Sequence, residues 1–179
     1  MPVYVALLRG INVGGSKSLK MTLLREVLES AGCKDVETYI QSGNVVFAHA
    51  SRSEAKLQKD LEAAIAKAAK FDVPVVLRSA AELNQVVNDN PFPKSGGKEL
   101  HVLFCTTKPT ATAFAKIEAA KFAPEAWALA NREVYLNLPH GIGTSKLAGA
   151  ITRVSPAKEA TARNWNTVEK LVAMAAERG

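Results

Sequence analysis

The sequence is poor in cysteine, histidine and aromatic rings, and each shortage narrows the field. Two cysteines and three histidines among 179 residues give no zinc-ligand spacing. Cys33 and Cys105 are expected to remain reduced thiols in a cytoplasmic setting. Aromatic residues make up 6% of the chain, little material for a base-stacking sheet. Tyr4 and Phe47 fall on candidate strands, but Ser42–Phe47 lacks the further rings an RNA-recognition module needs. No apolar run approaches the roughly 20 residues of a membrane span. The first residues form an apolar strand without the charged region or cleavage site of a signal peptide. Acidic residues are outnumbered, 17 against 23 Lys and Arg, for a net charge of +6. That balance favours acidic partners such as nucleotides, phosphorylated metabolites or nucleic acid, without choosing among them.

What is present is a regular alternation of apolar patterns. Residues 3–9 read as a strand. Met21, Leu24, Val27, Leu28 and Ala31 recur at helical spacing, and Gly32 ends that helix. Val36–Ile40 and Asn44–Phe47 read as strands joined by the turn Gln41-Ser42-Gly43-Asn44. Ser53 caps a helix running to about Lys70, with Leu57, Leu61, Ala64, Ile65 and Ala68 on one face. Val73–Leu77 is a further strand, and the order becomes βαββαβ.

The second half is expected to repeat this order. Leu100–Cys105 reads as a strand and Thr110–Lys121 as a helix. Strands Ala126–Ala130 and Val134–Leu138 flank the turn Asn131-Arg132-Glu133. Ser145 starts a helical segment, and a last amphipathic helix runs from Asn166 to Glu177. The expected fold is therefore α/β (α+β), with two ferredoxin-like βαββαβ-type halves from an internal duplication and a C-terminal helix. The halves are residues 1–90 and 91–179, divided near the Pro- and Gly-rich stretch Asn90–Gly97.

Four segments could carry chemistry. The first is Leu8-Arg9-Gly10-Ile11-Asn12-Val13-Gly14-Gly15, followed by Lys17 and Lys20. Its glycines can turn backbone N–H groups toward an anion, with Arg9, Lys17 and Lys20 supplying charge. It matches neither the dinucleotide pattern G-x-G-x-x-G nor the P-loop. It could equally be a tight loop whose Asn12 bonds backbone groups. In the second half the corresponding link, Thr106 to Pro109, is far shorter, and extra loop length is where function tends to reside.

The second segment clusters Gln41, Ser42 and Asn44 at one sheet end, where hairpin geometry alone is also a sufficient reason. The third is His140–Lys146, where Ser145 or Thr144 caps a helix and Lys146 adds charge. The fourth is Thr161–Thr167. Arg163 could grip a phosphate or carboxylate beside Asn164, Trp165 could stack or seal the core, and Asn166 or Thr167 could cap the last helix.

These segments together resemble one bacterial family, the domain-of-unknown-function family 1697. The matching pieces are Leu8–Gly15, Met21 and Leu24, Thr38–Phe47, Gly143 with Ser145-Lys146-Leu147, and Thr161 with Arg163–Thr167. The resemblance implies an α/β fold with two ferredoxin-like halves. It implies no established activity and assigns no catalytic residue.

Three functions compete. The leading one is binding of a phosphorylated or otherwise anionic small molecule or nucleotide. Its site residues would be Arg9, Gly10, Asn12, Gly14, Gly15, Lys17, Lys20, Gln41, Ser42, Asn44, Ser145, Lys146, Arg163, Asn164 and Trp165. The alternatives are a transferase or hydrolase acting on a phosphorylated substrate, and a nucleic-acid-binding module. The enzyme reading lacks a nucleophile–base set in these motifs. No cofactor, metal or membrane partner is expected, and the oligomeric state is left open by the sequence.

Overall fold

The first strand, β1 (Val3–Leu8), is buried along its whole length. A strand covered on both faces reads as an unbroken apolar run rather than an alternation. It lies inside a four-stranded antiparallel sheet ordered β2-β3-β1-β4. The partners are β2 (Lys34–Tyr39), β3 (Asn44–Ala48) and β4 (Val75–Ser79). β2 starts earlier than its apolar residues indicate. Lys34 pairs with Ala48 across a register shift, and Asp35 there takes a left-handed φ of 51°. A charged, bulged segment shows no two-residue alternation, so its pairing is silent in the sequence.

The computed structural model describes residues 1–178. It divides into two compact units, Met1–Asn84 with Lys170–Gly179, and Gln85–Glu169. In the first unit, α1 (Met21–Ser30) and α2 (Glu54–Ala69) cover one face of the sheet. Tyr4, Ala6, Leu8, Val45, Phe47, Val75 and Leu77 from the sheet pack with Leu24, Leu28, Leu57, Leu61 and Ile65 from the helices. Tyr4 and Phe47 stand 6.1 Å apart in this core, so neither ring offers a face to a nucleic-acid base. Ser53 caps α2 as expected, its hydroxyl accepting from the Lys56 N–H. Two residues past α1, Gly32 takes a φ of +93° that a Cβ would strain.

The second unit repeats the strand order as β6-β7-β5-β8. Its strands are β5 (Leu100–Phe104), β6 (Ala126–Ala130), β7 (Glu133–Asn137) and β8 (Thr161–Asn164). The duplication extends to single bonds and register. Leu8 N–H donates to the Gly43 carbonyl at 2.8 Å, and Cys105 N–H donates to the Arg132 carbonyl at 3.0 Å. Val5 is the partner of Arg78, and Val102 is the partner of Arg163. Each unit is thus a ferredoxin-like α+β sheet.

Three expectations need correction. Thr110–Lys121 is not a helix: it is a run of turns ending in a 3₁₀ segment, Ala119–Phe122. Its bonds are of the i to i+3 type, and Thr110 Oγ1 accepts from the Ala113 N–H. Only Phe114 of this run is fully buried, so too little apolar surface is covered to stabilise a helix there. The periodicity also passes over α3 (Ala80–Asn88) and over β8, whose four residues are mostly polar. The last helix, α5, is Trp165–Ala176, and its start is capped by neither Asn166 nor Thr167. Asn164 does this, accepting from the Thr167 N–H at 3.0 Å.

Candidate functional site

Asn12 organises the glycine loop. Its φ is 55°, a left-handed conformation that asparagine tolerates better than most residues. Its Oδ1 accepts from the Leu19 N–H at 2.8 Å. Its Nδ2 donates to the Leu19 carbonyl at 2.9 Å and to the Gln41 carbonyl at 2.7 Å. One side chain therefore closes the loop and fastens it to the β2–β3 turn. Gly43 completes the junction from the other side. A Cβ there would meet Leu8 Cβ at 2.7 Å and Ile11 Cδ1 at 2.8 Å.

The structure thus joins two segments that the sequence left separate. The polar side chains of the turn serve it in different ways. Asn44 is fully buried, and its Nδ2 donates to the Tyr39 carbonyl and to Ser42 Oγ at 2.9 and 3.0 Å. Gln41 contributes its backbone carbonyl, not its side chain, to Asn12. The glycines face outward. Gly10, Gly14 and Gly15 have φ of 69°, 62° and 76°, with nothing within 4 Å of where a Cβ would stand. Their backbone is open to an approaching group. Lys17 reaches the Asp72 carbonyl at 3.4 Å, and Arg9 lies half-buried at the end of β1 with its own N–H bonded to the Pro74 carbonyl.

The loop leads into α1, whose first turn is exceptional. The residue before it, Lys20, makes no side-chain capping bond, and the first turn holds no acidic residue. Among the described residues, no hydrogen bond uses the N–H groups of Met21, Thr22 or Leu23. Every other described α-helix is capped by a side chain. Ser53 serves α2, Asn164 serves α5, and Ser145 serves α4 (Lys146–Ile151). Ser79 and Glu82 form a reciprocal box at α3. Three donors not used within the chain, at the positive end of a helix dipole and close in sequence to Lys17, Lys20 and Arg25, make an electropositive spot. The signal stood in the sequence as a lysine, rather than Ser, Thr, Asp or Asn, at position 20 immediately before Met21.

The remaining candidates lie in the second unit and are already engaged. Ser145 Oγ accepts from the Ala148 N–H at 2.9 Å, and the Glu125 carboxylate accepts from the Leu147 N–H at 3.2 Å. The start of α4 therefore holds a carboxylate of its own. Lys146 lines a cavity of about 290 Å³ with Lys121, Glu125, His140 and Thr144. Arg163 donates to its neighbour's carbonyl, Ala162, at 2.8 Å, and burial lowers its pKa to about 10. Ala162 packs in the core beneath α4, and strand alternation sends Arg163 to the opposite face. A sheet thus separates Arg163 from Ser145 and Lys146. Asn164 caps α5, and the buried Trp165 donates from Nε1 to Glu169 at 3.0 Å. Among the described residues, no cluster of His, Cys, Asp and Glu could hold a metal ion, and no helix is long and apolar enough to cross a membrane.

This is a duplicated ferredoxin-like protein with an elaborated first loop. The chain belongs to the family described as "Protein of unknown function (DUF1697)", whose model matches residues 1–135. It is similar in structure to the conserved bacterial protein SP0830 from Streptococcus pneumoniae, at 25% sequence identity and a TM-score of 0.79. That similarity covers 97% of this chain and 98% of the other. No curated protein matches the chain.

Proposed function

We propose that the Gly10–Lys20 loop and the first turn of α1 bind the phosphate or carboxylate of an anionic small molecule or nucleotide. The observation that carries this reading is the uncapped start of α1. Its amides lie in the electropositive setting of Lys17, Lys20 and Arg25, with no acidic residue in the turn. A helix start of this kind attracts an anion through directed N–H groups and through the dipole. The open glycines Gly14 and Gly15 leave room for an anion to approach the backbone, and Asn12 holds loop and helix start in one geometry. Nearby side chains are Arg, Lys, Asn, Gln and Ser, which suit recognition better than proton transfer. The reading is therefore a binding site rather than a catalytic centre.

The test is thermal denaturation with inorganic phosphate, pyrophosphate, nucleoside phosphates and short oligonucleotides, each at low and high salt. A small anion at 100 times its dissociation constant should stabilise the protein by roughly 2.7 kcal/mol. The decisive variant is Lys20→Asp, which places a capping carboxylate before Met21. It should raise the stability of the free protein by about 1 kcal/mol and abolish the shift with the anion. Misfolding cannot mimic that pair of effects, because it would lower stability. Absence of a shift with every small anion, or a shift retained in Lys20→Asp, overturns the reading. Oligonucleotide binding that vanishes at high salt would favour a nucleic-acid role instead.

A further inference from the structure

β6 is an edge strand with none of the usual protections. Its residues Ala126-Trp127-Ala128-Leu129-Ala130 carry no charge, no proline and no bulge, and its register with β7 is regular throughout. Natural sheets blunt exposed edges with charge, kinks or covering groups, because a bare edge templates further pairing. β2, the equivalent edge in the first unit, shows all three. It carries Lys34, Asp35 and Glu37, it is bulged, and Arg178 covers it. Arg178 Nε donates to the Asp35 carbonyl at 2.9 Å, and its guanidinium meets the Glu37 carboxylate at 2.6 Å.

The direction of each backbone group of β6 follows from its neighbours. The Arg132 carbonyl accepts from Cys105 and the Leu138 N–H donates to Glu99, so the even-numbered residues of β7 face β5. The odd-numbered residues Glu133, Tyr135 and Asn137 therefore face β6, where their partners are Ala130, Ala128 and Ala126. That leaves Trp127 and Leu129 with N–H and C=O directed away from the sheet. Among the described residues, no hydrogen bond reaches these outward groups.

We infer that β6 pairs antiparallel with β6 of a second copy of this chain, about a two-fold axis at Ala128, to give a dimer with a continuous eight-stranded sheet. The strand is self-complementary about that residue. Ala128 meets its own copy, Ala126 meets Ala130, and Trp127 meets Leu129. Trp127 and Leu129 are the residues with outward donors and acceptors, so each Trp127–Leu129 pair exchanges both of its hydrogen bonds. Their side chains lie on the face that packs with the second core, so each pair extends that apolar layer across the axis. A foreign peptide is a poorer occupant. Recognition by strand addition draws specificity from pockets for alternate side chains, and an alanine face offers none.

The axis at Ala128 supplies the test. Two lysines placed there would face each other directly across a close antiparallel pair. Sedimentation equilibrium of the wild-type chain, from micromolar to millimolar concentration, should give twice the monomer mass. Ala128→Lys and Ala128→Glu alone should each be monomeric, with the circular dichroism and melting of folded protein. An equimolar mixture of the two should recover the dimer mass, because opposite charges now meet at the axis. A wild-type chain that stays monomeric throughout overturns the inference. So does an Ala128→Lys chain that remains as dimeric as wild type, since its dimer then uses another surface. Should Ala128→Lys fail to fold, Ala128→Glu decides the question by itself. A folded, monomeric Glu variant supports pairing at Ala128, and a dimeric one overturns it.

Discussion

Asn12 treats Leu19 as a strand partner would. Its side-chain amide accepts from the Leu19 N–H at 2.8 Å and donates to the Leu19 carbonyl at 2.9 Å. A primary amide has the donor and acceptor of a peptide group in the same plane, so it can saturate one residue's backbone completely. Leu19 is thereby fixed at the rim of the core, 3% exposed, and the chain enters α1 in a defined direction. The loop's exposed amides are thus held by a buried anchor.

Replacing Asn12 by Ala should therefore destabilise the protein by about 2–3 kcal/mol, since both Leu19 groups and the Gln41 carbonyl lose their partner. Asn12→Gly should cost about 1 kcal/mol less, because glycine accepts the left-handed φ without strain. Urea denaturation of both variants measures this. Equal losses would mean that backbone strain at position 12 is not part of the cost.

Gly43 and Gly14 share a positive φ yet should behave differently on substitution by Ala. At Gly43 the new methyl meets Leu8 Cβ at 2.7 Å, a rigid atom at the end of β1. Overpacking adds to the conformational strain there, and the loss should reach roughly 2–4 kcal/mol. At Gly14 nothing lies within 4 Å, so only the strain of about 1 kcal/mol remains. Comparable melting temperatures for the two variants would show that the Gly43 contact relaxes.

The fold was legible where burial forces a period. The βαββαβ order of elements in the first unit, α1, α2 and the hairpin at Gly43 all follow from apolar spacing and turn residues. The second unit was less legible. β8 is built from Thr161, Ala162, Arg163 and Asn164, and its identity comes only from pairing with β5. Thr110–Lys121 carries helix-like spacing in Phe114 and Ile117, but only Phe114 is fully buried, and without a buried face the segment stays in turns. The site was legible as composition and not as geometry. Nothing in the residue order of Asn12 and Gln41 says that they touch, because contacts between distant loops are set by the sheet that carries both. Arg163 shows the converse, since a cationic residue in a polar motif turns out to be half-buried on a strand.

Acidification should weaken the second unit through His101. This ring is buried on β5, and desolvation lowers its pKa below the usual 6.5, opposed by its contact with the Glu99 carbonyl. The folded chain then binds a proton less readily than the unfolded chain. The stability that a neutral His101 permits is fully present above pH 6.5 and is lost as pH falls from there toward the lowered pKa. Urea melts between about pH 8 and pH 5 should show this loss, and His101→Gln should flatten it. An unchanged slope in the variant would assign the effect to other groups.

The two cysteines report on the two units separately. Cys33 lies in the first and Cys105 in the second, at 1% and 0% exposure. Burial pushes the Cys33 thiol up to about 12, so almost no thiolate exists at neutral pH. Only the thiolate attacks an alkylating reagent, and a buried one must first be exposed by opening of the structure. Iodoacetamide should therefore modify neither cysteine in the native protein on the timescale on which it modifies both in urea. The slow native rate at Cys33 should fall further when a saturating anion occupies the Gly10–Lys20 loop, since binding to the folded state reduces the open population. Mass spectrometry of each cysteine's peptide over time gives both rates. Rapid labelling of native Cys33 would place that thiol outside the core, and a rate untouched by the anion that shifts the melting temperature would place its site away from the first unit.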